Sequence, residues 1–310
     1  MSTLIQRVTI LVFSSMASPA SLAQITLDGT LGRSGALPGP DYQITANLGQ
    51  QVGANLYHSF GQFNLQSGES ATFSGPESVN QVIGRVTGGF ASQINGTLRS
   101  TTNVYLLNPA GIVFGEGARL DVQGSFHAST ADTLRFEDGS EFNARQPNKS
   151  LLTLAPIRAF GFVSDTIAPI TVAAGRGQIG ETDWDGKPTG LSVPEGKTLS
   201  LIGGNIEIKN GTFYDTVKNQ NEQSWTEATR LGSLNAPGGR LNLASVNSAG
   251  EVISTDAGLE VSAPRLGDVT LAEKSLINVS GRGAGNIFIR AGHLLLRDSD
   301  IWANTLGGWR

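Results

Sequence analysis

The stretch of residues 104–122 restricts the fold more than any other part of this 310-residue chain. Within it, apolar residues recur at every second position in three short runs, which is the period of a half-buried strand and not of a helix. The apolar positions are Val104, Leu106, Ile112, Phe114, Leu120 and Val122. Such short strands between tight corners cannot form ordinary hairpin sheets, whereas they can form the coils of a parallel β-helix.

The first corner in this stretch fits a type I β-turn position by position. Asn108 at the first place accepts local backbone hydrogen bonds, Pro109 presets φ at the second place, and Gly111 suits the fourth. The third place, held by Ala110, accepts most residues. The sequence therefore predicts a tight, well-defined corner between two strands.

The rest of the chain agrees with an all-β fold. Its 40 glycines favour many corners, and no window keeps apolar residues at a helical period over several turns. A unit made of a corner glycine, a polar residue and an apolar-x-apolar triplet recurs at residues 204–208, 239–243 and 285–289. One such coil cannot bury its apolar side chains alone, so coils must stack and the end coils need covers. We predict a single-stranded right-handed parallel β-helix with an N-terminal cap.

Residues 1–23 contain the three regions of a secretory signal peptide in order. Arg7 gives a positive start, residues 8–13 an apolar core, and Ser21, Leu22 and Ala23 a small-residue cleavage site. The apolar run is far shorter than the roughly 20 residues that a membrane span needs. We expect export and no transmembrane segment after signal cleavage; the alternative is a buried first strand.

The charge of the chain limits which classes of partner are expected, and its cysteine content limits how it can be stabilised. The net charge is -4 with both signs scattered, whereas a nucleic-acid partner needs a clustered basic face, so we expect none. Cysteine is absent, so an exported chain of this kind must be stabilised by its core and its backbone hydrogen bonds.

Several patterns suggest chemistry but are better explained as structure. Residues 175–180 match a dinucleotide-binding loop without leading into a helix, and residues 183–186 lack the later oxygen ligands of an EF-hand. Asp298 and Asp300 could pair on one strand face as in a glycosidase, yet no accompanying groups are identifiable. His58 has no nucleophile or second histidine at a useful spacing. We therefore expect that the chain has no catalytic residue, binds no cofactor or metal, and is not an enzyme.

Four blocks resemble the secretion domain of the filamentous-haemagglutinin family, the exoproteins of two-partner secretion systems. In chain order they are residues 57–65, 80–88, 94–96 and 107–112. That family usually carries Asn-Pro-Asn-Gly where this chain has Asn-Pro-Ala-Gly, so Ala110 is a departure that the turn itself tolerates. The resemblance implies a pectin-lyase-like solenoid with a two-partner-secretion domain at residues 24–165, after the signal peptide, and β-helix coils at 166–310. Because the sequence stops at Arg310 without a capping sequence, we expect these coils to be truncated at the C-terminal end.

The resemblance also implies a partner and a secretion motif. An outer-membrane transporter of the TpsB type would recognise the chain through its periplasmic POTRA domains. The product would be secreted, or displayed on the surface of a Gram-negative-type bacterium, with an adhesin-like role toward a host-cell or surface receptor. The motif residues are Asn108, Pro109, Ala110 and Gly111, together with Phe60, Gln62, Phe63 and Asn64.

Two alternatives stay open at this point. The motif residues could form corners and core without any contact to a partner. The chain could also be a polysaccharide-acting enzyme built on a similar β-helix, which would require charged residues converging on one groove across successive coils.

Overall fold

The computed structural model describes residues 25–174, 191–209 and 234–307, and the backbone of residues 212–218 and 224–230. The predicted signal peptide and the patterns at residues 175–180 and 183–186 lie outside these ranges. The described residues form β-strands and two short 3₁₀ helices, Ala46–Leu48 and Pro147–Lys149. The prediction of an all-β chain is confirmed.

The largest sheet, called the long sheet below, has ten strands in the described residues. Seven of them pair in parallel: Asn55–Phe63, Gln81–Val86, Asn103–Leu107, Phe126–Ser129, Thr198–Gly203, Arg240–Ser245 and Asn286–Arg290. Three antiparallel strands complete its N-terminal edge: Ile25–Asp28, Ser34–Ala36 and Gln50–Val52.

Two further sets of strands are entirely parallel. The second sheet consists of Ser92–Ile94, Ile112–Phe114, Ile170–Val172, Ile206–Ile208, Asp268–Leu271 and His293–Leu296. The third sheet has two groups of four. The first group is Asp41–Thr45, Ser70–Ser74, Thr97–Ser100 and Arg119–Val122, and the second is Leu191–Ser192, Leu234–Asn235, Leu276–Asn278 and Asp300–Trp302.

The chain visits the three parallel sheets in a repeating order. From Asn103–Leu107 in the long sheet it passes to Ile112–Phe114 in the second and Arg119–Val122 in the third, and it returns to the long sheet at Phe126–Ser129. This order is consistent with a parallel β-helix. Residues 104–122 form the three predicted strands with tight turns between them.

The interior of these coils is built from stacked aliphatic and aromatic side chains. On the long sheet, Val82, Val104, Phe126, Leu199 and Leu241 occupy the same register on successive strands and are almost fully buried. Each such burial contributes roughly 1.5–3 kcal/mol. The alternation in the sequence therefore does set which side chains face inward.

A five-stranded antiparallel sheet, called the lateral sheet below, covers the outer face of the long sheet. Its strands are Thr133–Phe136, Glu141–Asn143, Ile157–Phe162, Gly250–Thr255 and Gly258–Val261. It forms a second core in which Leu134, Phe142 and Phe160 pack with Ile83 and Leu107 of the long sheet. The sequence reading of plain stacked coils did not include this sheet.

Both excursions into the lateral sheet leave the coils at the same corner, between the long and second sheets. One runs from the end of Phe126–Ser129 to Ile170–Val172, and the other from Arg240–Ser245 to Asp268–Leu271. In an earlier coil, residues 108–111 make the same connection between the long and second sheets directly, by a tight turn. The predicted boundary near residue 165 lies within the first excursion and stays a prediction.

Two smaller expectations have distinct outcomes. The predicted excursion around residues 214–230 contains an antiparallel pair, Thr212–Lys218 with Ser224–Arg230. The placement of Asp298 and Asp300 on one strand face is wrong, because Asp298 has φ of +47° before the strand that begins at Asp300. Across the described ranges, no helix has the length and apolar character needed to cross a membrane.

Candidate functional site

The corner after Asn103–Leu107 has the predicted turn hydrogen bonds. The Gly111 N–H donates to the Asn108 carbonyl at 3.0 Å, and the Ala110 N–H donates to Asn108 Oδ1 at 2.9 Å. Gly111 has φ of +117°, where a side chain would strain the backbone. The asparagine and the glycine are therefore each required by the geometry of the corner.

The Asn108 side chain is fully buried and points to the preceding coil. Its Nδ2 donates to the Phe90 carbonyl and to Ser92 Oγ, both at 3.0 Å. The backbone of the corner continues these contacts, because Ser92 N–H donates to the Gly111 carbonyl at 3.0 Å and Ile112 N–H donates to the Pro169 carbonyl at 3.3 Å. The corner is thus held between the coils on either side of it.

The second predicted element divides into core and surface residues. Phe60 and Phe63 are buried inside the coils, with ring centroids 5.0 Å apart in an edge-on arrangement, and both pack near Phe73. Gln62 is exposed. Asn64 is half-buried, and its Oδ1 accepts the Gln93 N–H at 2.8 Å.

The two motif elements meet at one strand, Ser92–Ile94 of the second sheet. Asn64 holds the backbone of Gln93 from the side of the earlier coil, and Asn108 holds the Ser92 hydroxyl from the side of the later coil. Leu65 adds a backbone bond on the same side, from its N–H to the Gln93 carbonyl at 2.9 Å. We call this arrangement the asparagine clamp.

His58 lies in the core beside Phe60 and Phe73. Burial lowers its pKa to about 4, and the Leu48 carbonyl opposes this only in part. The ring is therefore neutral at physiological pH and packs as a core residue. Over the described residues, no group of three or more His, Cys, Asp or Glu side chains is arranged to hold a metal ion.

Comparison with known proteins decides the family. The family model of the TPS secretion domain matches residues 23–289, which is most of the chain. This chain belongs to the TPS secretion domain family. TPS denotes two-partner secretion, and TPS exoproteins are secreted by such systems in Gram-negative bacteria, so the predicted resemblance is confirmed.

Individual relatives match shorter parts of this TPS domain. Two heme/hemopexin-binding proteins of Haemophilus influenzae are 35% identical over 95 residues and 33% identical over 93 residues. These matches cover 31% and 29% of this chain and 10% of each relative, so the chain matches only about a tenth of the relatives' length. Among solved structures, the HMW1 secretion domain of the same species aligns over 92% of this chain and 82% of its own, with 16% identity and a TM-score of 0.35.

The surface of the TPS domain at the corner is a shallow cleft of about 600 Å³. Its walls are Val86, Thr87, Gly89, Asn108, Pro109, Ala110, Ala144, Arg145 and Gln146. Phe90, whose carbonyl Asn108 holds, is 69% exposed, and Ala110 is half-buried. A partner approaching the folded domain could touch these two side chains but not that of Asn108.

Sequence reasoning missed Ser92 and Gln93 as members of the site. Neither lies at an informative spacing from Asn64 or Asn108, because the contacts run between coils and depend on coil length. It also gave no role to Arg85, although a charged residue within the apolar run of residues 82–86 was a signal that this side chain needs a partner.

Proposed function

We propose that this TPS domain directs the export of a longer exoprotein and starts the folding of its β-helix. A dedicated outer-membrane transporter of the TpsB type would recognise the chain in the periplasm through POTRA domains. Family membership supports the route. The asparagine clamp supports the motif assignment, because it joins the residues around Asn64 and Asn108 into one structural unit.

The clamp suggests how the motif acts. Asn108 is inaccessible in the folded domain, so recognition of that side chain would have to precede folding of the corner. Once the corner closes, the clamp fixes one strand between two coils, and further right-handed coils can then add by nearest-neighbour stacking. In this proposal residues 24–165 carry the export information and residues 166–310 continue the coils.

The activity of the whole exoprotein belongs to the proposal as well. We propose a secreted or surface-displayed, adhesin-like protein that meets a host-cell or surface receptor. The curated relatives are named for binding heme and hemopexin, but the matched part is a tenth of their length. Their names therefore assign no ligand to this chain.

Secretion of the full-length exoprotein with its transporter tests the proposal. Replacing Asn108→Ala and Pro109→Ala together should abolish delivery to the medium or surface while the signal peptide is still processed. Asn103→Ala is a matched control, because Asn103 also bridges neighbouring coils, from Nδ2 to the Asn80 carbonyl at 3.2 Å and from Ser125 N–H to Oδ1 at 2.8 Å. Normal delivery of the double variant, or equal loss in the control, would contradict a specific role of the motif.

A further inference from the structure

Arg85 is a fully buried cation on the outer face of the long sheet, beneath the lateral sheet. Burial lowers its pKa to about 10, and the nearby Asp28 carboxylate opposes this shift. The guanidinium is therefore charged at neutral pH. A buried charge is costly unless hydrogen bonds and an opposite charge compensate for it.

On one side, two hydroxyl groups connect Arg85 to the N-terminal strand. Its Nε donates to Ser59 Oγ at 2.7 Å, and its Nη2 donates to Thr30 Oγ1 at 2.9 Å. Each hydroxyl in turn donates to the Asp28 carboxylate, at 2.6 Å from Ser59 and 2.8 Å from Thr30. The cation and the anion are thus joined through Ser59 and Thr30.

The Asp28 carboxylate is equally well held. The Thr87 hydroxyl donates to it at 2.7 Å, and the Thr30 N–H donates at 2.9 Å. Burial alone would raise the pKa of Asp28, but these hydrogen bonds together with that from Ser59 lower it below its ordinary value. Asp28 is therefore ionised at neutral pH and compensates the buried cation.

On the other side, Arg85 holds the edge of the lateral sheet. Its Nη1 donates to the Asn143 carbonyl at 2.7 Å and to the Ser150 hydroxyl. Its guanidinium carbon lies 4.2 Å from the centre of the Phe142 ring. Segments separated by more than a hundred positions along the chain therefore meet at one side chain.

We propose that Arg85 couples the docking of the N-terminal strand, Ile25–Asp28, to the docking of the lateral edge, residues 142–150. When the N-terminal strand is detached, Arg85 loses its hydrogen bond to Thr30 and the compensating negative charge of Asp28. The lateral edge would then bury a cation whose charge is incompletely compensated. Coupling between two sites is reciprocal, so detachment of the lateral edge also loosens the N-terminal strand. The lateral sheet therefore packs fully against the long sheet only when the N-terminal strand, Ile25–Asp28, is already paired. This inference does not depend on the export proposal.

Native-state hydrogen exchange on the full chain measures the coupling. Asp28→Asn keeps the size of the side chain and removes its charge. The readout amides belong to Asn143, which donates to Ser150 Oγ at 2.9 Å, and to Leu151, which donates to the Glu141 carbonyl at 2.9 Å. We expect Asp28→Asn to accelerate exchange of both amides about tenfold, within the usual range of site-to-site coupling.

The same substitution in an Arg85→Met background should change those rates by no more than about twofold, the scatter expected for independent sites. Arg99→Met is the matched control background, because Arg99 is a half-exposed arginine paired with Asp121 in the third sheet. The control should retain the tenfold effect. Equal acceleration in all backgrounds, or none in any, would overturn the proposal.

A second measurement leaves Arg85 in place, in case Arg85→Met does not fold. Thr30→Val and Ser150→Ala remove one partner each from opposite sides of the guanidinium. Their effects on unfolding stability should be clearly non-additive, since either one alone disrupts the compensation. Additive effects would show that the two sides are independent, and the proposal would fail.

Discussion

At the scale of single residues, the motif is defined by hydrogen-bonding capacity and backbone conformation. Asn108 uses its amide nitrogen and its side-chain oxygen on three separate partners. Gln62 belongs to the same predicted motif but is exposed. The two side chains should therefore differ greatly in what they contribute to stability, even though the sequence pattern treats them alike.

Asn108→Ala should lower the free energy of unfolding by at least about 2 kcal/mol, because it leaves the buried Ser92 hydroxyl without this donor and removes the hydrogen bonds to the Phe90 carbonyl and from the Ala110 N–H. Urea denaturation of the domain measures this. Gln62→Ala is the control and should stay within about 0.5 kcal/mol of the parent, as exposed substitutions usually do. A parent-like midpoint for Asn108→Ala would mean that the amide is not holding the corner.

Substitution of Ala110, in contrast to that of Asn108, should have little effect on stability. The family usually has asparagine here, yet the third turn position accepts most residues and the side chain is half-buried at the cleft. Ala110→Asn should therefore change stability by no more than about 0.5 kcal/mol, and secretion should be retained. A large loss in either measurement would show that this site has adapted to a small side chain.

At the scale of elements, the central strands of the long sheet are buried on both faces. On Asn103–Leu107, Leu106 faces the interior of the coils while Leu107 packs beneath the lateral sheet. Adjacent apolar residues of this kind are typical of strands covered on both sides. The sequence predicted the coil strands, because their period of two is a local property. It could not predict the lateral sheet, because which strand covers which face is decided by contacts between distant segments.

Substitution of Phe136 measures how much the second core contributes to the stability of the domain. It is 1% exposed and its ring lies 6.1 Å from that of Tyr57, so Phe136→Ala should cost about 3–5 kcal/mol, as other buried phenylalanines do. Amides of the lateral sheet should also exchange faster. Phe90→Ala removes an exposed ring and should leave both measurements unchanged. If the two variants behave alike, the lateral sheet is not a packed layer.

At the scale of the whole molecule, stability comes from stacked layers without disulfides, since the chain contains no cysteine. The turn at residues 108–111 was predictable because its residues are adjacent in sequence. The asparagine clamp and the Arg85 contacts were not, because they join successive coils and the lateral sheet at separations that a local pattern does not report. Ionisable groups enclosed by these layers reach water only when the structure opens, so their protonation is linked to stability.

Two enclosed histidines should make the domain sensitive to mild acid. Burial lowers the pKa of His58 to about 4 and that of His127 to about 3, whereas both titrate near 6.5 in the unfolded chain. The unfolded state therefore binds more protons below pH 6.5. The contribution of the two histidines to stability is fully present above that pH and falls between pH 6 and 4, with a slope approaching about 3 kcal/mol per pH unit for two sites. Asp28, whose pKa is lowered below its ordinary value of 3.8, loses its contribution as the pH falls through that ordinary value toward the lowered one, so most of its effect lies below this window.

Urea denaturation at several pH values between 7 and 4 checks the effect of these histidines. His127→Gln should remove about half of the slope, and Gln62→Ala should leave it unchanged, because Gln62 is exposed and has no ionisable group. A flat profile for the parent chain between pH 6 and 4 would mean that the two rings reach water without unfolding of the layers that enclose them.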